Sequence, residues 1–210
     1  MTVEPLGESA LILRDLPLPP FQAAELIGQR VQGVVEAVAS YDTVGVFFEG
    51  EQPSTSSLMD ALSDGSVGIE ARRHLVPVCY ELGEDLAEAA QRLGLTEEQV
   101  VNLHCSKPYT CFAIGFCPGF PYLGTLPEGI RGLPRKAVPR VVVEPGSVAI
   151  TGEQTGIYPL PRPGGWWILG RTPLTLVDVA DRYFPIRSGD TVGFRPIGLR
   201  EFEKLKGHRL

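Results

Sequence analysis

The chain has 210 residues, 43% of them hydrophobic and 21% charged, and a formal net charge of −6 at neutral pH. That length is enough for one large domain or two small ones with a real core, and the composition is that of an ordinary globular protein. No run of about 18 apolar residues occurs, so no membrane helix is expected, and an acidic chain is a poor match for nucleic acid.

The first twenty residues carry Glu4 and Glu8 and lack a basic segment leading into an apolar one. No signal peptide is expected, and the cytoplasm is the default location. Ala10 to Arg14 reads as a short strand. Pro19-Pro20 opens a helix expected to run through Val38, because Ala24, Ile27, Val31, Val34, Val35 and Val38 recur at helical spacing. Residues 41–48 are β-rich, and 54–73 form a weaker helix interrupted by Gly65 and Gly68. His74 to Tyr80 is again a strand. A helix from Asp85 to Leu93 stops at Gly94, a residue suited to the left-handed C′ position. Thr96 and Gln99 match a capping box that opens a helix towards Leu103. After Lys107-Pro108 no convincing helix follows. Short strands are expected at 109–116, 140–144, 147–151, 166–169, 174–179 and 191–195, a pattern that favours a barrel or closed sandwich. The fold class is therefore α+β, with a small N-terminal α/β sandwich over residues 1–85 and a β-rich domain over 86–210, the boundary falling between 80 and 95.

Between Gly115 and Pro173 stand 21 of the chain's 43 glycines and prolines. Such density often marks a linker, but Phe116, Phe120, Tyr122, Tyr158, Trp166 and Trp167 fill the gaps. Short strands joined by specified turns satisfy both facts, which makes this stretch a shaped site. From Arg131 to Arg171 six cations face only Glu144 and Glu153, a net of +4, which leaves −10 for the remainder. A basic patch in an acidic chain fits a small anionic ligand or an acidic partner surface. Arginines that merely solvate turns remain the alternative.

Standard signatures are missing. No lysine follows a glycine, so there is no GxxxxGK[ST] phosphate loop; there is no GxSxG elbow and no Met-Lys-Met biotin attachment site. Cys79, Cys105, Cys111 and Cys117 form no CxxC pair, and the even spacing of the last three places them on one face of an extended chain as small hydrophobes. No metal site is expected. His104, between the Thr96 helix and the β-rich part, is a candidate general acid or base, and equally a structural imidazole at a helix C-terminus. Cys117 to Tyr122 is a rigid turn in which Pro118 fixes φ, Gly119 permits close approach, and Phe120 and Tyr122 form either a pocket wall or a buried aromatic corner. Gln154 and Thr155 fall in a turn after a strand, where the amide of Gln154 can grip an amide or carboxylate. Gly164-Gly165-Trp166-Trp167 and then Gly170-Arg171 add a guanidinium able to pair bidentately with an anion, and if this segment is a strand one of the two tryptophans must face inward.

In order, GFCPGFPYL (115–123), Pro-Arg at 134–135 and 139–140, GSVAI (146–150), GEQTGIYP (152–159), PGGW (163–166) and GRTP (170–173) make the chain resemble the allophanate hydrolase subunit 1 family, also known as the KipI or 5-oxoprolinase B-subunit family. The resemblance extends to the HLVPVCYE and LHCSKPYT segments and so to nearly the whole chain. Glu153 and Trp167 depart from it, standing where the family usually has a small and a polar residue. The resemblance implies a ferredoxin-like N-terminal domain and a cyclophilin-like C-terminal β-barrel of the carboxyltransferase type. It also implies a partner, the subunit 2 protein, which is KipA-like and similar to the C-type component of 5-oxoprolinase. With a third, A-type component, such pairs open 5-oxo-L-proline to L-glutamate using ATP at the level of the complex. Related domains serve urea carboxylase, and one member inhibits a sensor histidine kinase; both are alternatives. On this reading His104 would move protons, while Arg140, Gln154 and Arg171 would bind the small anionic substrate beside Pro118, Gly119, Phe120, Tyr122, Thr155, Tyr158 and Trp166.

Overall fold

A computed structural model describes residues 1–63 and 71–210. Its contacts divide the chain into two compact units, Met1–Ala71 and Arg72–Leu210. Both mix helix and strand, with sheet predominating.

In the first unit, strands β1 (Thr2–Pro5), β2 (Ala10–Arg14), β3 (Val34–Ser40) and β4 (Thr43–Phe48) form an antiparallel sheet in the order β1-β2-β4-β3. Helices α1 (Pro20–Arg30) and α2 (Thr55–Ser63) complete it. Leu11 and Leu13 are fully buried with Val44, Val46, Ile27 and Leu58, the period-2 burial of a sheet with one face on a core. Pro20 begins α1, where its missing N–H is no loss. The helix does not reach Val38: it stops at Arg30, Val31 is extended, and Gly33 has φ +83°. Val34 to Ser40 pairs instead with β4, and Val35 is 64% exposed, so the expected helical stripe does not exist. The spacing is helical and sends these valines to both faces of a strand, but β-branched residues with an available partner strand settle as strand. Of the expected helix over 54–73, residues 55–63 are helical; Gly65 and Gly68 lie outside the described residues.

The second unit begins with β5 (Arg73–Val78), which pairs in parallel with β13 (Thr191–Pro196). This pairing draws residues 72–85, expected to belong to the N-terminal part, into the C-terminal unit. From β13 the antiparallel ladder continues through β6 (Tyr109–Ile114), β7 (Pro121–Gly124), β10 (Gln154–Ile157), β9 (Ser147–Thr151) and β12 (Trp167–Arg171). Cys79 and Arg171 then exchange two backbone hydrogen bonds, of 2.8 and 3.0 Å, so the last strand returns to the first and the ladder closes. Tyr109, Leu123, Ile150, Trp167, Leu169 and Phe194 fill the enclosed core. A separate ribbon pairs β8 (Arg140–Val143) with β11 (Arg162–Gly164).

Helices α3 (Leu86–Leu93) and α4 (Glu97–His104) carry the expected end signals. Gly94 takes φ +69°, and Thr96 and Gln99 exchange both bonds of the capping box. Strands β7, β10 and β11 and helix α5 (Leu199–Leu205) lie where no element is expected. Gly and Pro hide β7 and β10 in the sequence, yet each has strands on both sides to pair with, and tertiary pairing overrides propensity. Residues 174–179 form no strand, contributing only the isolated bridges of Thr175 and Asp178. The three cysteines share no extended face: Cys105 caps α4, Cys111 lies in β6, and Cys117 belongs to a turn. No described helix is long and apolar enough to cross a membrane.

Candidate functional site

The Gly/Pro-rich stretch builds a pocket of about 280 Å³. Its aromatic wall is Phe116, Phe120, Tyr122, Tyr158 and Trp166. Phe120 is 1% exposed and sits at the centre, edge-to-face with Tyr122 at 5.0 Å, Tyr158 at 5.2 Å and Trp166 at 5.5 Å. Edge-to-face contacts of this kind add about 0.5–1.5 kcal/mol each beyond burial, so the wall is rigid before any ligand arrives. Arg135, Lys136, Pro139, Pro163, Gly164 and Gly165 complete the lining.

Local turns place these rings. The Phe120 N–H donates to the Cys117 carbonyl at 3.1 Å, with Pro118 second and Gly119, at φ +75°, third. That is the residue order of a type II turn, which requires positive φ at its third position. A Cβ on Gly119 would also collide with Val177. Just before it, the Cys117 N–H donates to the Gly115 carbonyl and closes a three-residue turn around Phe116, at φ +64°. A bulky residue rarely takes that conformation. It holds Phe116, 55% exposed, at the pocket edge. Opposite, Gly164 lies so close to Tyr158 that a Cβ would stand 2.8 Å from the ring's Cζ.

Behind the pocket an ion network is built on Asp85, which is 2% exposed. Its Oδ1 accepts from Lys136 Nζ at 2.6 Å and Arg140 Nη2 at 2.7 Å. Its Oδ2 accepts from the Ile168 N–H at 2.8 Å, while its own N–H donates to the Ile168 carbonyl at 2.9 Å. Asp85 therefore serves β12 as a strand partner would, with a carboxylate in place of a carbonyl. Burial works against its charge, but the bonds from Arg140, Lys136 and Ile168 win and hold its pKa below the usual carboxylate value. Arg140 also donates to Glu84 at 3.1 Å, and Lys136 to Glu88 at 3.0 Å. Lys136 further lies 4.4 Å above the Trp167 ring.

His104 lies in the core of the closed ladder, fully buried, and does not line the pocket. Its ring stacks on Phe194 at 4.5 Å. Nδ1 is 2.7 Å from the Tyr80 hydroxyl and Nε2 is 2.9 Å from Thr155 Oγ1. Thr155 must donate its proton to the Ala149 carbonyl, 3.1 Å away, so it accepts from Nε2–H. Nδ1 is then the acceptor for Tyr80, whose oxygen is left to accept from Cys105 Sγ at 3.2 Å. The result is one directed chain, Cys105–Tyr80–His104–Thr155–Ala149, around a neutral imidazole. Burial lowers the His104 pKa from 6.5 to about 3. Both nitrogens are hydrogen-bonded within the core, and the imidazole does not face the pocket.

The remaining expected residues scatter. Arg140 belongs to the Asp85 network. Gln154 and Thr155 are on strand β10, not in a turn, and Thr155 is fully buried. Arg171 lines a different cavity, where it donates to Glu144 at 3.1 Å and to the Pro145 carbonyl at 3.0 Å. Of the expected set, the pocket unites Phe120, Tyr122, Tyr158 and Trp166 above the Pro118-Gly119 turn. It adds Phe116, Arg135, Lys136 and Pro139, which the sequence places in the shaped stretch, the basic patch and the Pro-Arg motifs without marking them as binding residues. Among the described residues no cluster of three His, Cys, Asp or Glu side chains is arranged to hold a metal ion.

Comparison with known proteins agrees with this architecture. The carboxyltransferase domain, subdomain C and D, matches residues 2–185. The 5-oxoprolinase B subunit of Escherichia coli O157:H7 is 38% identical over 205 residues, covering 91% of this chain and 94% of that protein. The crystal structure of TTHA0988 superposes with a TM-score of 0.76 at 37% identity, covering 90% of this chain but only 40% of that one. The Kluyveromyces lactis urea carboxylase shares the fold, with a TM-score of 0.68 at 17% identity over 97% of this chain and 22% of its own. The chain belongs to the carboxyltransferase-domain family, subdomains C and D, within the group of the 5-oxoprolinase B subunits.

Proposed function

We propose that this chain is the B-type component of an ATP-dependent 5-oxoprolinase, opening 5-oxo-L-proline to L-glutamate together with a KipA-like subunit 2 and a third, A-type component in the cytoplasm. The observation that carries the reading is the preorganised aromatic pocket with a cationic side, about 280 Å³ in volume. A five-membered lactam is flat enough to lie against such rings, and its carboxylate calls for a cation at the rim. The relatives' name supplies the reaction class. ATP is consumed at the level of the complex, and no residue of this chain is assigned to it.

In this reading the substrate lies among Phe116, Phe120, Tyr122, Tyr158 and Trp166. His104 acts beneath them as a positioning residue: to move protons it would have to leave both Tyr80 and Thr155. Arg140 and Arg171 contribute through the carboxylates they hold. The closed ladder of the second unit fits a cyclophilin-like barrel. The β2-β4-β3 order flanked by two helices in the first unit fits a ferredoxin-like arrangement.

The test is coexpression with the KipA-like and A-type components, followed by an assay of glutamate formed from 5-oxo-L-proline and ATP, with urea and allophanate as controls. Glutamate formation that requires this chain is expected. Equal formation without it, or turnover of urea or allophanate instead, overturns the proposal.

A further inference from the structure

Six cations lie between Arg131 and Arg171, and the pocket is lined by two of them, Arg135 and Lys136. Lys136 is committed: its Nζ lies between Asp85 at 2.6 Å and Glu88 at 3.0 Å. Arg140, next along the chain, is held by Asp85 at 2.7 Å and Glu84 at 3.1 Å, and Arg171 by Glu144 at 3.1 Å. Arg135 differs from all three. Among the described residues it has no hydrogen-bonded or ion-paired partner, yet it lines the pocket together with the aromatic residues. Its field acts inside: burial raises the pKa of Tyr122 and of Tyr158, and the Arg135 charge opposes the rise at both.

We infer that Arg135 is the specificity-determining residue of the pocket, and that the ligand class it selects is a small, uncharged, planar ring bearing a single carboxylate. The inference rests on the function proposed above and deepens it. One uncommitted guanidinium matches one carboxylate in the two-pronged geometry that arginine provides. A dianionic phosphate ester would leave charge unmatched, because Lys136 is already neutralised by two carboxylates. The five rings supply a surface for the uncharged part of the ligand, and the other cation lining the pocket, Lys136, is taken up by Asp85 and Glu88.

The experiment titrates the isolated full chain with 5-oxo-L-proline and with 2-pyrrolidinone, the same ring without the carboxylate, by calorimetry or ligand-observed NMR. Wild type is expected to bind 5-oxo-L-proline at least about tenfold more tightly. Arg135→Gln should remove that preference while leaving 2-pyrrolidinone binding unchanged, and Arg135→Lys should restore part of it. In the assembled complex, Arg135→Gln should raise KM for 5-oxo-L-proline by a similar factor with a smaller effect on kcat. A preference that survives Arg135→Gln, or no preference in wild type, overturns the inference. So does failure of the isolated wild-type chain to bind either compound. Should the wild-type complex form no glutamate, the proposed function falls, while the titration still decides the role of Arg135.

Discussion

Thr155 Oγ1 and His104 Nε2 lie 2.9 Å apart, and this one bond joins the end of α4 to the middle of β10 inside the barrel. Thr155→Val keeps the shape and deletes the hydroxyl, stranding a buried N–H. The expected cost is about 1–3 kcal/mol in urea unfolding. His104→Phe preserves the stack on Phe194 but strands the Tyr80 O–H and takes the donor from the Thr155 oxygen, at a similar cost. In a double-mutant cycle the two losses should be clearly less than additive. Additive losses would show that the pair is not coupled.

The same imidazole gives the stability a defined pH dependence. Its pKa is lowered from 6.5 to about 3 in the folded chain, so between those values the unfolded state binds a proton that the folded state refuses. Stability contributed by this group is therefore full above pH 6.5 and falls as pH drops towards 3, by up to about 1.4 kcal/mol per unit. Asp85, whose pKa is lowered, adds a separate loss that begins only near and below its unfolded value of 3.8. Denaturant midpoints at pH 7, 6, 5 and 4 should converge between wild type and His104→Phe as pH falls. Parallel curves would contradict a neutral buried imidazole.

Asp85→Asn tests the network behind the pocket. The carboxylate serves three donors: Lys136, Arg140 and the Ile168 N–H. Asparagine offers one acceptor oxygen and places an NH₂ against a cation or against the strand. A loss of about 2–4 kcal/mol is expected, below the largest costs for broken buried pairs because Lys136 and Arg140 keep some access to water. Thermal unfolding measures it, and a change below about 0.5 kcal/mol would remove Asp85 from the account.

Gly164→Ala should disturb the pocket without touching the barrel core. The added methyl overlaps the Tyr158 ring, so the ring must move or the ribbon must lift, at about 1–3 kcal/mol. Binding of 5-oxo-L-proline should weaken while the far-ultraviolet spectrum stays unchanged. Unaltered binding would show that Tyr158 is not part of the wall.

Much of the fold follows from local signals that have one physical outcome. The Thr96 capping box, Gly94 at positive φ and the Pro118-Gly119 turn are each specified within four residues, and each forms as expected. The valines from 31 to 38 mislead because their spacing is helical, while their β-branching and the presence of β4 decide for a strand. Strands β7 and β10 are concealed because their stability lies in neighbours far along the chain. The aromatic half of the pocket is legible, since large apolar residues among glycines and prolines must be placed for a reason. Its cationic half is not. Six basic residues look alike in the sequence, and Arg135 is distinguished only by its place in the pocket lining and by the carboxylates that take up Lys136, Arg140 and Arg171. His104 shows the same limit, because no local pattern reveals that Tyr80 and Thr155 converge on it from both sides.

Trp166 packs with Phe120 in the pocket wall, and its neighbour Trp167 packs in the barrel core, where its indole N–H donates to the Pro134 carbonyl at 2.7 Å. They are the only two tryptophans in the chain. The molecule therefore carries a pair of intrinsic fluorophores that report on different events. With Trp167 replaced by Phe, emission from the remaining indole follows occupancy of the pocket; with Trp166 replaced, it follows opening of the barrel. Adjacent positions in one dipeptide separate ligand capture from unfolding, and no external label is needed to observe either.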